Sequence, residues 1–165
     1  MLNEKGPFLD AKNIPSFEAF LYYLTKPFLD EPVKIFLKNY LMGKKGRFLD
    51  IGCGNFPKMY WPRPSLKNVT LVDLEDSFFR QYRKIIADGL VLPFQNDSFD
   101  VTLSKQVINY VKNTDRFLNE MVRVTKKGGD IILIGLNERV TPKAGNFVTE
   151  FNPDRFKNKL INLGI

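Results

Sequence analysis

Three aspartates stand at or near the ends of short apolar runs. Asp50 lies in Arg47-Phe48-Leu49-Asp50-Ile51, Asp73 closes Val69-Thr70-Leu71-Val72-Asp73, and Asp88 follows Ile85-Ile86-Ala87. The first run opens into Gly52-Cys53-Gly54-Asn55. Glycine at 52 and 54 permits a sharp turn and leaves no side chain between the loop's N–H groups and a ligand. Asp73 stands 23 positions after Asp50, near the spacing at which a carboxylate accepts both hydroxyls of a ribose. Asp88 stands where a carboxylate accepts an adenine amino group, with Leu90 and Leu92 as apolar cover. Each feature alone has a plainer explanation, a tight turn or a solvated loop acid. Their order after successive runs is what points to nucleoside recognition.

The elements that must position these residues are legible as strands at Arg47 to Ile51, Val69 to Asp73, Lys84 to Ala87, Phe99 to Ser104 and Asp130 to Leu136. Several are apolar at nearly every position, as in Ile131-Ile132-Leu133-Ile134, the pattern of a parallel strand covered on both faces. Asn113 to Lys127 places Phe117, Leu118, Met121, Val122 and Thr125 on one stripe, which predicts a helix stopped by Gly128-Gly129. Asp115 in its first turn and Lys126-Lys127 in its last suit the helix dipole. Ser16 to Leu29 and Val33 to Leu41 predict two helices divided at Pro27 and Pro32. Asn152-Pro153-Asp154 starts a further one that runs to Leu163. Strand and helix alternate, so the expected fold is a doubly wound, mostly parallel α/β sheet. A single domain is expected, residues 1–45 forming a helical cap and 46–165 the core.

Composition narrows the chemistry. The 165 residues are 44% apolar, enough for one core. A single cysteine, Cys53, excludes an internal disulfide framework or a cysteine-built zinc site. No histidine is present, so the side chain best suited to proton transfer near neutral pH is missing. The formal charge of +7 is scattered, with its densest runs at Lys44-Lys45-Gly46-Arg47 and Lys126-Lys127 just before strands, which favours solvated loops over a nucleic-acid surface. No apolar run approaches the roughly 18 residues of a membrane span, and no secretory pattern opens the chain, so a cytoplasmic protein is expected.

The segments LDIGCG at 49–54, LPFQNDSFDV at 92–101 and EMVRVTKKGGDIIL at 120–133 resemble, in this order, the S-adenosylmethionine-dependent methyltransferase superfamily, especially its small-molecule branch. The resemblance runs from about Gly46 to the end. It implies a Rossmann-like sheet with the cofactor, S-adenosylmethionine, across the carboxyl ends of the first strands. Asp50, Gly52, Cys53, Gly54 and Asn55 would form the loop around its methionine part. Asp73 would match the ribose acid, with Leu74 against the adenine, and Asp88 with Gly89 would match the adenine pair. Ser104, Lys105 and Gln106, in particular Ser104 and Gln106, would lie beside the amino group and sulfonium.

Two departures stand out. Phe56-Pro57 replaces the family's third glycine, and with Pro62 and Pro64 it predicts a short or absent helix after the first strand. The family's last two strands have no counterpart before Ile165. The strand near 130–136 is therefore expected at a sheet edge, covered by 137–150, by the amino-terminal helices, or by a second copy in a homodimer. The acceptor implied is a small molecule. No catalytic base is assigned, although Tyr22, Tyr23, Tyr110, Lys105 and Glu150 are of suitable type, and Cys53 reads as a small filler. The alternative is a non-catalytic binding or scaffold module with the same fold. A nicotinamide dehydrogenase ranks last, since proline stands where its third glycine is needed.

Overall fold

A computed structural model of the chain describes residues 32–54, 61, 66–75, 84–135 and 153–162. Five strands form one sheet: β1 (Phe48–Ile51), β2 (Val69–Asp73), β3 (Lys84–Ile86), β4 (Phe99–Lys105) and β5 (Thr125–Ile134). Their order is β3-β2-β1-β4-β5 and every neighbouring pair is parallel. Helix α1 spans 32–41, α2 is Thr114–Val124 and α3 is Pro153–Asn162. The expected amino-terminal helix at 16–29, the segments 55–60, 62–65 and 137–150, and Asn152 and Leu163 fall outside the described residues.

Side chains alternate across the strands, so each apolar run feeds two cores. One face of the sheet packs Leu49, Ile51, Val72 and Phe99 against Phe117, Leu118, Met121 and Val124 of α2 and Phe156 of α3. The other gathers Phe48, Leu71, Val101 and Leu103 with Leu37 and Leu41 of α1, Cys53 and Trp61. The doubly wound sheet expected from the sequence is present. β5 is its outer strand among the described residues, with Ile131 to Ile134 only half-buried.

The boundary between α2 and β5 differs from expectation. Asn113 caps the helix, its side-chain oxygen accepting the Arg116 N–H at 3.0 Å. The helix ends at Val124, however, and Thr125 is already extended. The last carbonyls need no glycine stop, because Asp97 N–H donates to Arg123 O at 3.0 Å and Ser98 N–H to Val124 O at 2.9 Å. The Thr125 hydroxyl donates to Met121 O at 2.6 Å and lies 2.7 Å from Thr102 Oγ1, drawing the chain into the sheet. Gly128, at φ +73°, instead serves an irregularity in β5, where the pairing with β4 jumps from Phe99–Thr125 to Val101–Asp130.

The basic runs sit at the amino-terminal ends of the strands. Lys44 pairs with Asp130 and Lys126 with Asp100, whose carboxylate also accepts the Arg47 N–H. These charges lie at the opposite end of the sheet from Gly52.

Candidate functional site

β2 and β3 lie on one side of β1, and β4 and β5 on the other, so the crossovers reverse direction between β1 and β4. In open α/β sheets the crevice outside the carboxyl ends at such a point is where ligands bind. Ser104 stands beside Ile51 in register, bringing the end of β4 against the start of the Gly52–Gly54 loop. Ala87 N–H donates to Asp73 O at 3.0 Å, which brings Asp88 beside the end of β2. Four consecutive strand ends therefore meet at one rim.

The loop is held from below by β2. Gly52 and Cys53 N–H groups both donate to Val72 O, at 2.8 and 3.2 Å, and Gly54 N–H donates to Asp73 Oδ2 at 2.8 Å. All three N–H groups therefore have partners on β2. The two glycines also differ. A methyl group on Gly52, at φ +72°, would overlap Val107 Cγ2, so this glycine admits the chain that follows β4. Gly54, at φ +60°, has no neighbour among the described residues where a side chain would project.

Asp73 is half-buried, and among the described residues its second oxygen, Oδ1, accepts only the Glu75 N–H, at a long 3.3 Å. Leu74 beside it is 67% exposed. Asp88 is exposed, and its Oδ1 accepts the Leu90 N–H at 2.9 Å. Gly89 permits close packing: a methyl group there would come within 2.7 Å of Phe117 Cε2 and 3.1 Å of Ile51 Cγ2.

Ser104 is fully buried, and its hydroxyl has no hydrogen-bond partner among the described residues. Gln106 adopts φ +64°, rare for a residue with a side chain, and its N–H donates to Ile134 O at 2.6 Å. Asp50 is fully buried beneath the loop, where its carboxylate accepts the Trp61 indole N–H at 2.8 Å. Burial, with the nearby Asp50 charge, pushes the Cys53 thiol up to about 12, so it stays protonated and unreactive at neutral pH. Asn55 lies outside the described residues.

Sequence reasoning missed Val107, the partner that makes Gly52 necessary, and Arg116, Glu120 and Arg123 of α2. These three grip the loop carrying Asp88. Their spacing of four and three along a helix, all charged, was the available signal. Among the described residues no cluster of histidine, cysteine or acidic side chains could hold a metal, and no helix is long and apolar enough to cross a membrane.

A glycine loop at the first strand end, acids after the second and third, and a sheet reversal between β1 and β4 define a doubly wound α/β protein of the nucleoside-binding class. Within residues 52–54 the N–H groups are bonded to β2. Comparison with known proteins makes the class specific. Residues 49–133 match the methyltransferase domain family, and the chain belongs to that family, within the S-adenosylmethionine-dependent methyltransferase superfamily. An uncharacterized protein of Methanocaldococcus jannaschii is 29% identical over 132 residues, covering 78% of this chain and 58% of its own length. Norajmaline N-methyltransferase of Rauvolfia serpentina is 28% identical over 118 residues, 61% of this chain and 40% of the enzyme. The chain thus spans about half the length of these relatives. In structure it is similar to a SAM-dependent methyltransferase of Archaeoglobus fulgidus, with a TM-score of 0.65 at 16% identity over 88% of this chain and 74% of that one. It shares its fold also with geranyl diphosphate C-methyltransferase of Streptomyces coelicolor, solved with S-adenosyl-L-homocysteine, at a TM-score of 0.52 and 22% identity over 68% and 47% of the two chains.

Proposed function

We propose that this chain binds S-adenosylmethionine at the carboxyl ends of β1 to β4 and transfers its methyl group to a small-molecule acceptor. The observation that carries the proposal is the Gly54–Asp73 contact. One oxygen of Asp73 holds the loop while the other is left to accept ribose hydroxyls, and the position opposite Gly54 stays open. In this reading Leu74 covers the adenine face and Asp88 accepts its amino group beside Gly89. Ser104 and Gln106 line the methionine end, where the buried Ser104 hydroxyl gains a partner.

When bound, the cofactor supplies a methyl group already activated on a sulfonium. The protein's part is to align donor and acceptor and to exclude water, which needs no strong base. That suits a chain without histidine. The names of two relatives, norajmaline N-methyltransferase and demethylmenaquinone methyltransferase of Corynebacterium glutamicum, denote small acceptors and support the same class here. The outer edge of β5 is covered by residues 137–150, by the amino-terminal helices or by a second copy of the chain, and a monomer by light scattering at every concentration would remove the last of these.

The test is methyl transfer from radiolabelled S-adenosylmethionine to a panel of alkaloid amines and quinols. Label should pass to at least one acceptor, and Asp73→Ala should lower the rate at limiting cofactor about 10-fold or more, the loss of hydrogen bonds to a charged group. Tight cofactor binding with no transfer to any acceptor would favour the scaffold reading.

A further inference from the structure

The loop that carries Asp88 is not held by its own turn alone. Arg116, Glu120 and Arg123 lie four and three residues apart on α2 and so share one line along its surface. Arg116 Nε donates to Leu90 O at 2.9 Å. Glu120 Oε2 accepts the Leu92 N–H at 2.7 Å. Arg123 donates to Leu92 O at 3.0 Å, to Phe94 O at 2.7 Å and to Asn96 Oδ1 at 3.0 Å. Glu120 and Arg123 also grip each other through two parallel bonds of 2.6 and 2.8 Å, which fixes the fork. The loop from 90 to 96 is thereby fastened along the length of the helix.

Leu90 links this clamp to the candidate site. Its carbonyl is held by Arg116 while its N–H donates to Asp88 Oδ1 at 2.9 Å, so one residue separates the arginine from the carboxylate. Val91 N–H adds a bond to Asp88 O at 2.9 Å. Gly89, pressed on Phe117, fixes the other side of the turn to the same helix. A carboxylate selects a base by direction: it accepts from the amino group of adenine and repels the carbonyl that hypoxanthine places there.

We propose that the α2 stripe Arg116-Glu120-Arg123 is a specificity-determining support, setting the preference for an adenine-bearing ligand by fixing Asp88. This rests on Asp88 as the adenine acceptor in the function proposed above. The three side chains act through the loop and are positioning residues.

The experiment compares binding of S-adenosylhomocysteine and S-inosylhomocysteine to the whole chain by calorimetry. Wild type should prefer the adenosyl ligand by about 10-fold or more, as expected for a hydrogen bond to a charged group. Arg116→Met should lower that preference to about threefold or less by costing the adenosyl ligand selectively, and Arg116→Lys should restore part of it. Arg116 is exposed, so the variant is expected to fold; should it not, Arg123→Lys is read in the same way. An equal loss for both ligands, with the preference unchanged, would mean a merely structural role and overturn the proposal. If wild type binds both ligands equally, Asp88 is not the base acceptor and the proposal falls while cofactor binding stands. If wild type binds neither, the proposed function itself has failed.

Discussion

Gly52 and Gly54 are separated by Cys53 alone and stand in different surroundings. Gly52→Ala is expected to collide with Val107 and to strain a φ of +72°, adding about 1–3 kcal/mol of overpacking to roughly 1–2 kcal/mol of backbone cost. Gly54→Ala meets no neighbour among the described residues and is expected to carry the backbone cost, again roughly 1–2 kcal/mol. Thermal unfolding should therefore rank Gly52→Ala well below Gly54→Ala. Cofactor affinity should fall in Gly54→Ala beyond what its stability explains, because its new methyl group occupies open space at the site. The sequence marked both positions but could not tell them apart, since Val107 is distant in the chain. The same holds for Asp50: its place before the glycines was legible, but its burial against Trp61 depends on a contact across the core. Cys53 was legible as a filler, and its thiol, raised to about 12, should resist alkylation at pH 8 until the protein is unfolded. Rapid modification of the native protein would contradict the packing described.

At the scale of the element, α2 shows where pattern reading stops. Of the stripe expected from local sequence, Phe117, Leu118 and Met121 are buried, whereas Val122 is half-buried and Thr125 belongs to β5. The end of the helix does not follow from local sequence, because the donors that close it come from Asp97 and Ser98, in the turn before β4. The charged face of α2 likewise gains its meaning only from the loop it grips. Arg123 beside Glu120, with the Leu92 N–H, holds the Glu120 carboxyl below its ordinary value of 4.5, and Lys126 with the Arg47 N–H holds Asp100 below 3.8. A depressed carboxyl contributes stability above its unfolded pKa and loses it as pH falls through the folded value. The melting temperature should therefore decline as pH drops below about 4.5, and Glu120→Gln should lessen that decline while lowering stability at pH 7. An unchanged acid slope in the variant would show that Glu120 is not among the groups responsible.

Across the whole molecule, the alternation of apolar runs and helices was enough to predict a doubly wound sheet, because parallel strands covered on both faces leave that mark in any sequence. The reversal between β1 and β4 depends on strand order, which periodicity does not encode. It is this reversal that turns scattered loop residues into one rim. At that rim the N–H groups of residues 52–54 are bonded to β2, and Asp73 faces the same crevice. Titrating S-adenosylmethionine, NAD and their Asp73→Ala controls by calorimetry tests this most directly. S-adenosylmethionine should bind, NAD should not, and Asp73→Ala should weaken the former about 10-fold or more, as expected for hydrogen bonds to a charged group. Preferential binding of NAD, or no binding of either by a folded chain, would contradict the account.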